Sequence, residues 1–137
     1  MKIFQKTISV RTSKIYDFVE ITDEVEKAAK ESKMKNGIVF VNMLHLTAAL
    51  IFQENDPTIL RDLIKTLEKM VPMKEKYEHH YEGNENATAH IKANLLGTAV
   101  TIPLKNSNLQ LGTYQSLFVV EFFEPRNREI MITIIGE

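Results

Sequence analysis

The final third of the chain, residues 98–135, holds strand-like segments in succession and no helical one. Thr98–Leu104, Ser116–Phe122 and Glu129–Ile135 are rich in β-branched and aromatic residues, and polar turn-forming clusters at Lys105–Asn108 and Glu124–Arg128 interrupt them. A doubly wound parallel sheet needs a helical crossover between strands, so this tail argues for a different architecture. Pro103, inside the first segment, lacks a ladder donor and marks an edge or a bend.

The earlier two thirds mix both periodicities. Lys2–Thr12 alternates, with Phe4, Lys6, Ile8 and Val10 on one face and Ile3, Gln5, Thr7, Ser9 and Arg11 on the other. Tyr16–Ile21 is a second short strand, expected to pair with the first as an antiparallel hairpin. Thr22 is the expected N-cap of a helix with Asp23 and Glu24 in its first turn, an apolar stripe of Val25, Ala28, Ala29 and Met34, and a stop at Asn36-Gly37. Ile38–Leu44 is almost continuously apolar, the pattern of a strand buried on both faces, and strand character is expected to run on through His45 to Phe52. Asp56-Pro57 opens a second helix, whose apolar face is Ile59, Leu60, Leu63, Ile64, Leu67 and Met70 and whose end is Val71-Pro72. Met73–Glu85 is aperiodic and reads as a surface loop; Asn86–Gly97 is a short helix. The expected fold class is α+β, a two-sheet β-sandwich with about three helices, forming one domain over residues 1–137.

The 137 residues include no cysteine, so any metal would be held by His, Asp or Glu. A net charge of −1, spread along the chain, argues against nucleic acid or an acidic membrane as the main partner. No apolar run reaches membrane-spanning or signal-peptide length, and a cytoplasmic location is expected.

The stretch His45–Asn55 sets an imidazole, a hydroxyl and a carboxylate among residues that favour burial, and such insertions need a partner. His45, His79 and His90, on strand, loop and helix, are the candidate ligands of an open three-imidazole Zn²⁺ site. The competing reading makes His45 a core histidine bonded to backbone and His79 a solvated loop residue; His80 is a spare. Glu54 and Asp62 are the candidate catalytic carboxylates, as imidazole-orienting partners or general bases. Against that stand a charged strand end for Glu54 and a solvated helix charge for Asp62. Tyr77 and Tyr81 flank His79, available to stack on a ring or to pin the loop.

Three blocks, taken in order, resemble the YjbQ family of secondary thiamine-phosphate synthases. They are His45-Leu46-Thr47-Ala48-Ala49-Leu50-Ile51 continuing through Glu54-Asn55 to Arg61-Asp62-Leu63; Tyr77-x-His79 with Glu82-Gly83-Asn84, Ala89-His90-Ile91-Lys92-Ala93 and Leu95-Leu96-Gly97; and Ile102-Pro103, Leu111-Gly112-Thr113-Tyr114-Gln115, Glu121-Phe122, Pro125-Arg126 and Ile134-Ile135-Gly136-Glu137. The chain departs from the family pattern at Leu46, where threonine is common, at Tyr114, where tryptophan is common, at His80, and in the turn at Asn106-Ser107. The resemblance implies a homotrimer, a metal at the three histidines (Zn²⁺ most of all, with Mg²⁺ accompanying a diphosphate substrate), and the joining of a hydroxymethylpyrimidine diphosphate to a thiazole phosphate. Lys92, Thr113, Gln115 and Arg126 are then the candidate substrate-binding residues, an anion pocket for the departing diphosphate. Arg128 shares their neighbourhood but reads as an ordinary solvated turn charge. A metal-dependent hydrolase and a non-catalytic ligand-binding trimer are the alternative functions.

Overall fold

The computed structural model describes all 137 residues. The strands are β1 (Lys2–Arg11), β2 (Phe18–Glu20), β3 (Gly37–Met43), β4 (Ala48–Gln53), β5 (Ala99–Lys105), β6 (Asn108–Leu109), β7 (Ser116–Glu121) and β8 (Asn127–Gly136). The helices are α1 (Thr22–Ser32), α2 (Pro57–Met70) and α3 (Asn84–Leu96). The strands form two antiparallel sheets, a larger one ordered β1-β8-β3-β5-β6 and a smaller one ordered β2-β7-β4. The architecture is the expected α+β sandwich.

The smaller sheet is the middle layer. On one side Ala48 and Leu50 of β4 and Leu117 and Val119 of β7 meet Val39, Val41, Ile102, Ile130, Ile132 and Ile134 of the larger sheet. On the other side Ala49 of β4 and Phe118 and Val120 of β7 meet Leu60 and Leu67 of α2 and Ala89 and Ala93 of α3. The two alanines of α3 let its backbone approach β4 closely. β3, by contrast, alternates: Val39, Val41 and Met43 point inward while Ile38 and Asn42 are exposed. The apolar run at 38–44 therefore does not mean two-faced burial. That condition belongs to β7, whose Leu117–Glu121 are buried throughout.

Several local expectations are corrected. β1 and β2 do not form a hairpin, because β1 pairs with β8 and β2 with β7 in different sheets. The turn between them is a crossing from one layer to the other. Thr22 is the first residue of α1, not its cap, and its Oγ1 accepts from the backbone N–H of Leu117 at 2.9 Å. That helix ends at Ser32 on a left-handed Lys33, short of Asn36-Gly37. His45–Thr47 leave the strand conformation and carry the chain from the larger sheet to the smaller one. α2 begins as expected, with the Asp56 carboxylate accepting from the N–H of Thr58 and Pro57 at its first position. α3 starts two residues earlier than expected, at Asn84.

Gly37 of β3 and Gly136 of β8 lie opposite one another, and a methyl group on either would overlap backbone of the other strand's end. Their lack of side chains is what lets the two strands meet there.

Candidate functional site

The loop between α2 and α3 is tied down by side chains. Tyr77 Oη donates to the Pro72 carbonyl at 2.5 Å, and Asn84 Nδ2 donates to the carbonyls of Met73 and Glu75, each at 2.8 Å. These bonds give an aperiodic segment a fixed course and bring His79 against His90 of α3. The two imidazole centres are 5.1 Å apart, with their planes at 84°. Tyr81 packs edge-on against His79 at 5.4 Å. Tyr77, Glu78, His79, Ala87, His90 and Ile91 line a pocket of about 260 Å³.

A centre-to-centre distance of 5.1 Å is that of an edge-to-face ring contact, and it also falls close to the separation of two imidazoles sharing one ion. A nitrogen about 2.1 Å from a tetrahedral Zn²⁺ puts each ring centre about 3.2 Å away and the two centres about 5.2 Å apart. Within one chain no group of three or more His, Asp or Glu side chains converges in a metal-holding arrangement. The chain thus brings together two of the three expected ligands.

His45 is held elsewhere, in the crossover after β3. Its Nε2 accepts from the backbone N–H of Glu129 at 2.9 Å, while Leu44 N donates to the Glu129 carbonyl at 3.0 Å. Because the ring accepts at Nε2, its neutral form carries the proton on Nδ1, so in this arrangement neither nitrogen offers a free lone pair. Burial, and after it the charge of Arg128, lowers the His45 pKa below its ordinary value; Glu129 and Glu121 pull the other way, and Arg126 again lowers it.

Beneath His45 lies a buried polar network. Arg128 and Glu121 form a bidentate ion pair, with Arg128 Nε donating to Glu121 Oε1 at 2.9 Å and Nη2 donating to Oε2. Arg128 Nη2 also donates to Thr47 Oγ1 at 2.9 Å, and Glu121 accepts from Thr12 Oγ1 at 2.6 Å and from the Phe123 N–H at 3.0 Å. Arg128 is 1 % exposed, so the reading of it as a solvated turn charge is overturned: β8 starts at Asn127 and carries it inward. The signal was in the sequence, since Glu121 sits inside the apolar run Leu117–Phe123 and needs a buried cation.

The remaining candidates divide. Glu54, Thr113 and Gln115 share an open groove of about 490 Å³ with Phe52, Gln53, Gly112 and Tyr114. Gln115 Oε1 accepts from the Gly112 N–H at 2.8 Å and closes that turn. Asp62 is exposed on α2. Arg126 pairs with Glu124, lies 5.1 Å from the Phe123 ring centre, and has a buried Nε with no acceptor. Lys92 lines neither the histidine pocket nor that groove. It is buried on another side of α3, against Tyr16 and Glu68, two residues not singled out from the sequence. Lys92 is legible as unusual because it shares the buried side of α3 with Ala89 and Ala93.

Comparison with known proteins agrees with the fold. Residues 6–137 match the family model described as UPF0047 protein YjbQ-like. A UPF0047 protein of Methanothermobacter thermautotrophicus is 36% identical over 137 residues, covering 100% of this chain and 95% of its own. One from Methanocaldococcus jannaschii is 39% identical over 129 residues, covering 93% and 91%. The crystal structure of a YbjQ-like protein from Sulfolobus solfataricus, described as of unknown function, superposes with a TM-score of 0.94 at 32% identity over 99% of each chain. A Clostridium acetobutylicum YjbQ/UPF0047 structure gives 0.89 at 37% identity, covering 95% of this chain and 99% of its own. The chain belongs to the YjbQ (UPF0047) family.

Proposed function

We propose that the protein is a transferase for phosphorylated small molecules, of the thiamine-phosphate synthase type, working at a centre built on His79 and His90. The observation that carries this reading is the pair of imidazoles 5.1 Å apart in the wall of a small pocket. A divalent metal held there would supply positive charge to a departing diphosphate. His79 and His90 would hold it, and Tyr77 keeps the loop that carries His79 against the body through its bond to Pro72.

The centre is completed across a subunit boundary in a homotrimer. α3 buries Ala87, Thr88, Ala89, Lys92 and Ala93 yet exposes Ile91 and Leu95, beside an exposed Tyr81. The crossover around His45 exposes Leu44 and Leu46, the latter 71%. One apolar patch flanks His79 and His90 and the other flanks His45, so a head-to-tail contact covers both and unites the halves; a rotation that closes gives a ring. His45 then serves as a hydrogen-bond donor through Nδ1, and Arg126 as a cation, toward phosphate oxygens bound by the neighbouring copy.

Two experiments test this together. Purified protein with Zn²⁺ or Mg²⁺ should release pyrophosphate only when both the pyrimidine diphosphate and the thiazole phosphate are present. Release from the diphosphate alone would assign a hydrolase instead. Mixed trimers of His45→Ala and His90→Ala subunits should recover activity that neither variant has alone. No recovery, in trimers shown by native mass spectrometry to be mixed, would reject the shared site.

A further inference from the structure

His90 and Lys92 are two residues apart on α3, about 200° around the helix. Lys92 accordingly opens onto a different pocket, about 350 Å³, walled by Tyr16, Glu68, Pro72, Met73, Lys74 and Lys92 itself. Lys92 is 1 % exposed, and the hydrogen bond its amine makes is to Tyr16 Oη at 2.6 Å. A lysine amine has three sites to satisfy when protonated, and burial with one partner is costly for the charged form. Burial accordingly lowers the Lys92 pKa, with Glu68 opposing. The Tyr16 phenol is pushed up to about 12 by burial and then by the neighbouring Glu68 carboxylate. Tyr16 is itself held in a left-handed conformation, φ 59°, by the bond from its N–H to the Glu121 carbonyl and by edge contact with Phe122. A packing role at this place needs neither an amine nor a phenol.

We propose that Lys92 is a nucleophilic amine that forms an imine with a small aldehyde or ketone entering this pocket, with Tyr16 as its acid–base partner and Glu68 as the link to solvent. The Nζ lone pair attacks the carbonyl carbon, the C=O π electrons move to oxygen, and one Nζ proton is transferred there to give a carbinolamine. The C–O bond then breaks, the hydroxyl leaves as water with a proton from Tyr16, and the nitrogen lone pair forms the C=N bond. Loss of the remaining Nζ proton to the Tyr16 phenolate restores the phenol; the sum is amine plus carbonyl giving imine plus water. This sequence requires a protonated phenol and a neutral amine, and burial favours both forms. Exposed Lys74 at the pocket wall favours carbonyl compounds that also carry an anionic group.

The inference does not rest on the histidine centre, and its test needs no metal and no turnover assay. The wild-type protein is treated with limiting propanal and cyanoborohydride, and the N-propyl adduct at every lysine is quantified by peptide mass spectrometry. Lys92 should be modified ahead of the exposed lysines by about tenfold, because a desolvated amine is the reactive one. Adducts on surface lysines with Lys92 unmodified, or no faster than they are, would overturn the proposal. Tyr16→Phe should slow adduct formation at Lys92 alone, the surface lysines of the same molecule serving as the internal standard. An unchanged Lys92 rate in that variant would likewise overturn it.

Discussion

Arg128 and Glu121 show how much one side chain can decide. Each is closed off from solvent, and each is tolerable only because the other neutralises it and Thr12, Thr47 and the Phe123 amide take the remaining bonds. Replacing Arg128 with Met leaves the Glu121 carboxylate buried beside no cation, and urea unfolding should show a loss of about 3–5 kcal/mol. A loss below about 1 kcal/mol would mean that water reaches the carboxylate. His45, above this network, gives a pH signature. Its folded pKa lies below the ordinary 6.5, so the unfolded chain takes up the proton first as pH falls. Stability is therefore unaffected by this group above that value, falls as pH drops from 6.5 toward the lowered folded pKa, and levels off below it. His45→Gln should remove that part of the slope in unfolding free energy measured from about pH 7.5 downward through the ordinary histidine value. An identical slope in the variant would assign the pH dependence to other groups.

At the scale of elements, the segment joining α2 to α3 has no secondary structure of its own and takes its shape from two side chains, Tyr77 and Asn84. Asn84→Ala frees two carbonyls. At about 1 kcal/mol per bond this should raise amide exchange across residues 73–80 by an order of magnitude or more, while β8 exchanges as before. Equal exchange in the two proteins would show that packing alone holds the loop. The Gly37–Gly136 crossing makes the opposite point, since there the missing side chain is what matters. Gly37→Ala forces backbone apart between β3 and β8 and should cost about 1–3 kcal/mol in thermal or chemical unfolding. A neutral effect would mean that the strand ends separate freely.

For the whole molecule, the decisive feature is the three-layer order, with the smaller sheet covered on both faces. It explains why β7 can be apolar on both faces from Leu117 to Val120 and still avoid solvent. The same order leaves apolar residues on the outer side of α3 and around the crossover with nothing of this chain to cover them. Under the proposed assembly, Leu46→Glu should convert trimer to monomer in native mass spectrometry and light scattering at micromolar protein. It should also leave the circular dichroism spectrum unchanged. A trimer that persists would place the subunit contact elsewhere.

Element type was written locally and is legible in the residues. Asp56-Pro57 supplies its own cap and first turn, the β-branched run at 129–135 suits only a pleated strand, and the absence of helical segments after Gly97 excludes a doubly wound sheet. The pairing of His79 with His90 was approachable in the same way, because they lie close in sequence on a loop and the helix that follows it. The layer each strand joins was not legible. Whether Tyr16–Ile21 pairs with β1 or β7, and whether an apolar run is buried on one face or two, depends on contacts made by residues about a hundred positions apart. The same holds for the charged groups. Arg128 and Lys92 look like solvent charges until the fold removes the solvent, and only then do an ion pair with Glu121 and a pocket with Tyr16 and Glu68 exist.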